Sequence, residues 1–194
     1  MNARAKPILV LFATREGHTR KVAEHIAAAL RAEGRDVTLL NARDADPELE
    51  LREFSAAILA ASVHVGAHEK AMVRFVRRAR EALARLPTAF LSISLSEAGA
   101  ENESNAPEIR QKAAREVADT MNRFFEATGW HPDRAAPVAG ALMYREYNVL
   151  IRWVMRRIAR ASGGSVDTTQ DHIYTDWQAL DRFVALFLES LDPA

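Results

Sequence analysis

Apolar and polar positions form blocks of two kinds along this chain. Five short blocks are mostly continuous apolar runs, which are typical of parallel strands covered on both faces. They are Ile8–Phe12, Val37–Leu40, Ala56–Ala60, Ala89–Ile93 and Pro137–Leu142. The longer blocks between them repeat apolar residues every three or four positions, as one face of an amphipathic helix does. This alternation predicts βαβ units in one doubly wound α/β domain that covers residues 1–194.

Four helical blocks have stripes regular enough to identify the residues that face the core. The stripes are Val22, Ile26 and Leu30; Met72, Phe75, Val76, Ala79 and Leu83; Ile109, Ala113, Val117, Met121, Phe124 and Phe125; and Leu180, Phe183, Val184, Phe187, Leu188 and Leu191. The spacing of Thr175 and Gln178 matches a capping box, so the last helix is expected to begin directly after Thr175. The stretch 94–106, rich in Ser, Gly, Asn and Glu, predicts a loose loop after strand four.

A short segment between the first strand and the first helix has the features of an anion-binding turn. It consists of Thr14, Arg15, Glu16, Gly17, His18 and Thr19. A helix N-terminus presents unpaired N–H groups, Gly17 permits a tight curl of the backbone, and the two threonines add hydroxyl donors. The spacing excludes both the P-loop and the dinucleotide fingerprint. Because Glu16 would repel a triphosphate, the segment predicts a monophosphate site, with an ordinary capped turn as the alternative.

Composition narrows the possible chemistry. The 194 residues carry a formal net charge of zero, so no global basicity suggests nucleic acid as a partner. The chain has no cysteine, which excludes disulfides, thiol redox chemistry and Cys-ligated metal. Any redox chemistry must therefore come from a bound cofactor. No run of 18 apolar residues and no signal-peptide core are present, so the cytoplasm is the expected location.

Two further loops are expected to border the ligand. With the phosphate turn after strand one, five strands predict the order 2-1-3-4-5 and a ligand at the switch point between strands one and three. The candidates are Ser62, Val63, His64, Val65 and Gly66 after strand three, and Ser94, Leu95 and Ser96 after strand four. His64 could lie against a planar ligand or be a solvated loop residue. His68 is expected in the first turn of the next helix, and with no third ligand beside this pair no metal site is predicted.

A basic amphipathic helix is predicted at about residues 144–162, after strand five. Its apolar stripe consists of Tyr147, Leu150, Ile151, Val154, Met155 and Ile158, and its arginines are Arg145, Arg152, Arg156, Arg157 and Arg160. Such a helix suits an anionic membrane surface or a wall for an anionic ligand. A core helix with a solvated arginine face is the competing interpretation.

Motifs spread over nearly the whole chain carry a family resemblance. They are Thr14–Thr19, Ala61–Gly66, Trp130–Arg134, Ala139–Tyr144, Gly163–Gly164 with Asp167–Thr168, and Tyr174–Trp177. The T-x-E-G-x-T order resembles the FMN phosphate loop of flavodoxins, and the set together resembles the flavodoxin-like, quinone-dependent protoporphyrinogen IX dehydrogenases of bacterial heme synthesis. The second loop departs from that family by carrying His64 and Val65 where an aromatic residue is expected. The loop region after strand four also departs from that family, because it is acidic where the family's is basic.

The resemblance implies a flavodoxin-like fold, bound FMN, protoporphyrinogen IX as electron donor and a membrane quinone as acceptor. It also implies peripheral attachment at the cytoplasmic face of the inner membrane through the Arg145–Arg160 helix, with Arg145 and Arg152 as candidates for the porphyrin propionates. No residue is assigned as a general base. A flavodoxin-type electron carrier is an alternative, although such carriers tend to be strongly acidic. A general NAD(P)H:quinone reductase is another.

Overall fold

The structure is a computed structural model that describes residues 5–142 and 171–192. Its strands are β1 (Ile8–Ala13), β2 (Val37–Asn41), β3 (Ala56–His64), β4 (Ala67–His68), β5 (Thr88–Ser94), β6 (Arg134–Ala139), β7 (Ala141–Leu142) and β8 (His172–Ile173). Its α-helices are α1 (His18–Ala32), α2 (Lys70–Leu83), α3 (Leu95–Glu101), α4 (Pro107–Thr128) and α5 (Trp177–Leu191), with a 3₁₀ turn at Leu51–Glu53.

The five long strands form a parallel sheet in the order β2-β1-β3-β5-β6. Counted along the chain this is the predicted order 2-1-3-4-5, so the doubly wound α/β prediction is confirmed. The two-residue strand β4 adds an antiparallel pair to the end of β3. The order places the carboxyl ends of β1 and β3 side by side, where chains of this topology bind ligands.

Alternate residues of each strand enter two separate cores, one on each face of the sheet. Ile8, Val10 and Phe12 pack with the buried stripes of α1 and α5. Leu9 and Leu11 pack on the other face, with residues of α2 and α4. Burial on both faces explains why the strands lack the alternating pattern of a half-exposed sheet.

Two boundary predictions at the end of the sheet were wrong. The last long strand begins at Arg134 and ends at Ala139, rather than spanning Pro137–Leu142. The Gly140 amide donates to Ser94 O at 2.8 Å, and the chain then leaves the sheet to form an antiparallel ribbon of β7 with β8. A Cβ atom on Gly140 would lie 3.2 Å from the Ser94 backbone, so this close approach favours glycine.

Three helical predictions also need correction. The N-cap of α5 is Asp176, whose Oδ1 accepts from Ala179 N at 3.0 Å, instead of Thr175. The stretch 94–106 is mostly the helix α3, capped by the Ser94 hydroxyl. Ile109 is 39% exposed, because the buried positions of α4 begin at Val117 and its first turns pack beside α3.

Candidate functional site

A cavity of about 290 Å³ opens at the carboxyl edge of the sheet, above β1, β3 and β5. Twelve of the fourteen predicted ligand-loop residues line it, namely Thr14, Glu16, His18, Thr19, Ser62, Val63, His64, Val65, Gly66, Ser94, Leu95 and Ser96. Sequence reasoning missed seven other lining residues, which are Ser92, Ile93, Glu116, Val117, Thr120, Gly140 and Ala141. Those on α4 and beyond β6 reach the cavity only through the tertiary fold, and no local motif marks them.

The turn before α1 has the geometry of an anion cradle. Gly17 caps the helix with φ of 87°, a left-handed conformation that costs a residue with a side chain about 1–2 kcal/mol. Its amide donates to Thr14 Oγ1 at 3.0 Å, which closes the turn. The Thr19 hydroxyl is buried and has no hydrogen-bond partner among the described residues. A buried hydroxyl at a helix N-terminus fits an oxygen-rich anion.

Arg15 and Gly17 are the two predicted residues that do not line the cavity. The Arg15 guanidinium lies 3.2 Å from Glu69 Oε1. Gly17 contributes through its backbone conformation alone. The charge of Arg15 is therefore partly neutralised by the buried carboxylate of Glu69, which also forms an ion pair with Arg43.

His18 is the most deeply fixed imidazole in the site. Its Nε2 lies 2.8 Å from Thr175 Oγ1, and that hydroxyl lies 2.7 Å from Ala139 O. A hydroxyl has a single proton, which the carbonyl must receive, so His18 Nε2 is the donor in the first bond. Nδ1 is then a buried acceptor that has no partner in the described part of the chain. Burial, with a contribution from Lys21, lowers the pKa of His18 to about 4 and keeps the ring neutral.

His64 stands between two carboxylates. Its Nδ1 lies 3.8 Å from Glu16 Oε1, and its Nε2 lies 3.9 Å from Glu69 Oε1. Glu69 is itself buried and receives a hydrogen bond of 3.0 Å from Arg43. Burial lowers the pKa of His64, Glu16 raises it, Arg15 lowers it and Glu69 raises it.

The predicted helical position of His68 was wrong, because the chain reverses before α2. Val65 and Gly66 have φ of 48° and 71°, the two positive values of a type I′ hairpin turn between β3 and β4. Val65 is fully exposed at the rim of the cavity, in a conformation that β-branched residues rarely adopt. Arg123 donates to Gly66 O at 3.1 Å and ties the turn to α4. His68 lies buried behind it, with Nε2 2.9 Å from Ser92 Oγ.

Some predictions lie outside the described residues, namely the helix at about 144–162, its arginines and the two propionate candidates Arg145 and Arg152. Among the helices that the structure does describe, none is long and apolar enough to cross a membrane. Within the same ranges, no group of three or more His, Asp or Glu side chains converges as a metal cluster.

Comparison with known proteins identifies the family. A family model described as a flavodoxin domain matches residues 9–169. The chain is also 32% identical over 176 residues to a protoporphyrinogen IX dehydrogenase (quinone) of Escherichia coli strain K12, covering 90% of this chain and 91% of that protein. The chain belongs to the flavodoxin-domain family of the protoporphyrinogen IX dehydrogenases. The resemblance inferred from the sequence motifs is thereby confirmed.

A second relative and a solved structure are also similar to this chain. A protoporphyrinogen IX dehydrogenase (quinone) of Leishmania major is 27% identical over 191 residues, covering 96% of this chain and 77% of that protein. A short-chain flavodoxin associated with a non-canonical PDU bacterial microcompartment matches in fold, with a TM-score of 0.54 at 12% identity, covering 96% of this chain and 99% of that one. Membership of the flavodoxin-domain family implies a flavin as the cofactor class.

The residues present fit a flavin phosphate. The cradle offers a helix N-terminus, the Thr14 hydroxyl and the unpartnered Thr19 hydroxyl, all neutral donors that suit a single phosphate group. The walls beyond it combine apolar surface from Val63 and Ile93 with the hydroxyls of Ser62 and Ser96. Mostly apolar walls with a few polar groups are typical of small-molecule cofactor sites.

Proposed function

We propose that this protein binds FMN in the cavity and oxidises protoporphyrinogen IX to protoporphyrin IX, with a membrane quinone as electron acceptor. The single observation that carries the proposal is the 32% identity, over nine-tenths of the chain, to the Escherichia coli enzyme named for that reaction. The cavity supports the cofactor part of the proposal, because its cradle matches a monophosphate. Bound flavin would supply the chemistry by accepting a hydride from the donor and returning the electrons to the quinone.

The residues of the chain would hold and orient the cofactor. Thr14 and Thr19 would donate hydroxyl hydrogen bonds to the phosphate, with Gly17 keeping the turn open for it. Ser62 and the backbone of the Val65–Gly66 turn would border the ring system, and Ser94 to Ser96 would close the opposite side. These fourteen loop residues remain a prediction for the cofactor contacts. None of them needs to form a covalent bond with the substrate.

The acceptor would be reached at a membrane surface. The segment Arg145–Arg160 carries five arginines and one glutamate, a balance that attracts anionic lipid. We propose that this segment attaches the protein peripherally to the cytoplasmic face of the inner membrane, and that Arg145 and Arg152 contact the porphyrin propionates. Sedimentation with vesicles of phosphatidylglycerol tests the attachment. Binding at low salt that is lost at high salt supports it, and binding that a neutral phosphatidylcholine vesicle matches contradicts it.

An anaerobic stopped-flow experiment tests the reaction. The protein is loaded with FMN, mixed with protoporphyrinogen IX, and then mixed with a menaquinone analogue. The expected result is bleaching of the flavin absorbance, appearance of porphyrin fluorescence, and reoxidation by the quinone. Flavin that binds but stays oxidised would reject the substrate assignment while keeping the cofactor. Reduction by NAD(P)H instead would favour the general quinone reductase, and a flavin that exchanges electrons only with protein partners would favour the carrier.

A further inference from the structure

His64 occupies an unusual electrostatic position in the wall of the cavity. Its side chain is 20% exposed, and carboxylates from two different elements flank its two ring nitrogens at 3.8 Å and 3.9 Å. Glu16 comes from the turn before α1 and also lines the cavity, whereas Glu69 lies behind the ring at the start of α2. Nδ1 therefore lies toward the cavity, and Nε2 lies toward the buried carboxylate.

A neutral imidazole can satisfy only one of these two carboxylates. It carries one N–H and one lone pair, so whichever nitrogen lacks the proton presents a lone pair to a negative oxygen. A second proton on the ring would give each carboxylate an N–H to face. The neighbouring guanidinium of Arg15, 3.2 Å from Glu69, and that of Arg43, 3.0 Å from Glu69, offset part of the negative charge. The site is thus arranged to accept one more proton when negative charge increases nearby.

The resting state of the ring follows from the same groups. Burial is the largest influence and lowers the pKa of His64, with Arg15 acting in the same direction. Glu16 and Glu69 raise the pKa and oppose this effect. Added negative charge in the cavity would act in the same direction as the two carboxylates. His64 is therefore neutral at rest and poised to gain a proton when electrons arrive.

We propose that His64 holds, at Nδ1, the second proton of each two-electron step, taking it when the donor is oxidised and releasing it when the quinone is reduced. This inference rests on the proposed function. Each oxidation step removes two electrons and two protons from the porphyrinogen. A hydride would carry both electrons and one proton to a bound flavin, and the remaining proton would go to His64. The quinone then takes up two electrons and two protons, one of which His64 returns, so atoms and charge balance over the cycle.

The other imidazole of the cavity is less suited to this role. His18 uses Nε2 to donate to Thr175, the residue is 5% exposed, and the charged group that affects its pKa is Lys21 rather than a carboxylate. Its low pKa, caused mainly by burial, keeps it neutral. His64 is the histidine that combines contact with the cavity and flanking carboxylates.

Two measurements on the FMN-loaded, full-length protein test the proposal without using porphyrinogen. The first follows the His64 ring by ¹⁵N NMR against pH, with the flavin oxidised and then reduced by dithionite. The expected result is a pKa that rises by at least one pH unit on reduction. The second measures the flavin midpoint potential against pH. Between the His64 pKa of the oxidised protein and that of the reduced protein, reduction of wild type should take up one more proton per electron pair than reduction of His64→Gln. The midpoint potential of wild type should therefore fall by about 30 mV more per pH unit, which corresponds to a tenfold change in the equilibrium constant.

His131→Gln is the matched control, because His131 is an exposed histidine that does not line the cavity. It should keep the wild-type potential slope. Glu16→Gln should lower the His64 pKa in both redox states, because one of the two flanking charges that raise it is lost. The proposal is overturned if the His64 pKa is the same in both redox states, or if His64→Gln keeps the wild-type slope. Failure of the proposed function is distinguishable: protein that retains no FMN shows no flavin absorbance, whereas a flavin that reacts with dithionite but not with porphyrinogen leaves the His64 result standing.

Discussion

Thr175 Oγ1 lies 2.8 Å from His18 Nε2, although 157 residues separate them in the chain. The same hydroxyl donates to Ala139 O at 2.7 Å, at the end of β6. One buried side chain therefore connects the anion cradle to the last long strand and to the segment that enters α5. The Tyr174 amide reinforces this junction by donating to Gly140 O at 3.1 Å. The cradle and the β7–β8 ribbon are thus held as one unit.

Replacing Thr175 with valine tests this connection. Thr175→Val keeps the shape but leaves the buried His18 N–H and the Ala139 carbonyl without their partner, so we expect a loss of about 1–3 kcal/mol in the free energy of unfolding. FMN affinity should fall as well, because His18 is the first residue of α1. Chemical denaturation and flavin fluorescence titration provide the two readouts. Thr175→Ser keeps the hydroxyl and is the control; a Thr175→Val variant that is as stable as wild type would mean that the two hydroxyl hydrogen bonds do not stabilise this junction.

Alanine variants at two glycines of similar φ distinguish the cost of backbone strain from a direct effect on cofactor binding. Gly17 and Gly34 have φ of 87° and 76°, and a Cβ atom on either would meet no atom within 4 Å. Alanine at either position should therefore cost a similar conformational energy of about 1–2 kcal/mol. Only Gly17→Ala should also weaken FMN binding, by roughly tenfold or more, since it distorts the cradle. The measurement is the FMN dissociation constant of each variant at equal folded fraction, and equal weakening by Gly34→Ala would reject a direct role for the cradle.

The parts of this site that could be predicted from sequence are those encoded locally. The turn Thr14–Thr19 follows a clean apolar run and opens a regular stripe, so its position at the site is evident within a few residues. The order of the long strands follows from the βα alternation and the early position of that turn. Both inferences depend on short-range patterns that tertiary packing does not disturb.

The remaining features depend on contacts that no local pattern encodes. Thr175 matched a capping box by spacing, yet its hydroxyl is used by His18 and Ala139, and the adjacent Asp176 caps the helix instead. The sequence predicts a helical position for His68, and nothing in Val65–Gly66 resembles the usual Asn-Gly turn signal. Their positive φ values follow from pairing with β4, which forms only in the folded chain.

Replacing the strained Val65 is predicted to raise the stability of the protein and to weaken its function. A valine at φ of 48° is strained, whereas asparagine tolerates the left-handed region. Val65→Asn should therefore raise the free energy of unfolding by about 1 kcal/mol, which corresponds to roughly 2–4 °C in Tm for a chain of this size. The apolar side chain at the cavity rim is lost, so FMN affinity or turnover should decrease. Differential scanning calorimetry and the anaerobic assay measure the two effects, and a variant that gains stability with no functional loss would show that the strain has no functional role.

His68 should make the protein sensitive to acid. Burial, followed by the charge of Arg123, lowers the pKa of His68 to about 4 from an ordinary value near 6.5. The unfolded chain therefore binds a proton that the folded protein excludes between these values, so stability falls as the pH drops from about 6.5 to 4. The contribution of this one residue is about 3 kcal/mol at most.

Comparing wild type with His68→Gln isolates that contribution. Burial also lowers the pKa of His18 to about 4, and it raises the pKa of Glu97 to about 7, which acts in the opposite direction between about 4.5 and 7. Both groups are present in the two proteins, so their effects cancel in the difference. His68→Gln should be less stable at pH 7.5, because the bond to Ser92 is altered. Its free energy of unfolding should fall less steeply on acidification, because unfolding of the variant takes up as much as one proton fewer per molecule. Urea unfolding at a series of pH values between 4 and 7.5 measures this difference, and parallel curves for the two proteins would show that His68 is not the acid-sensitive group.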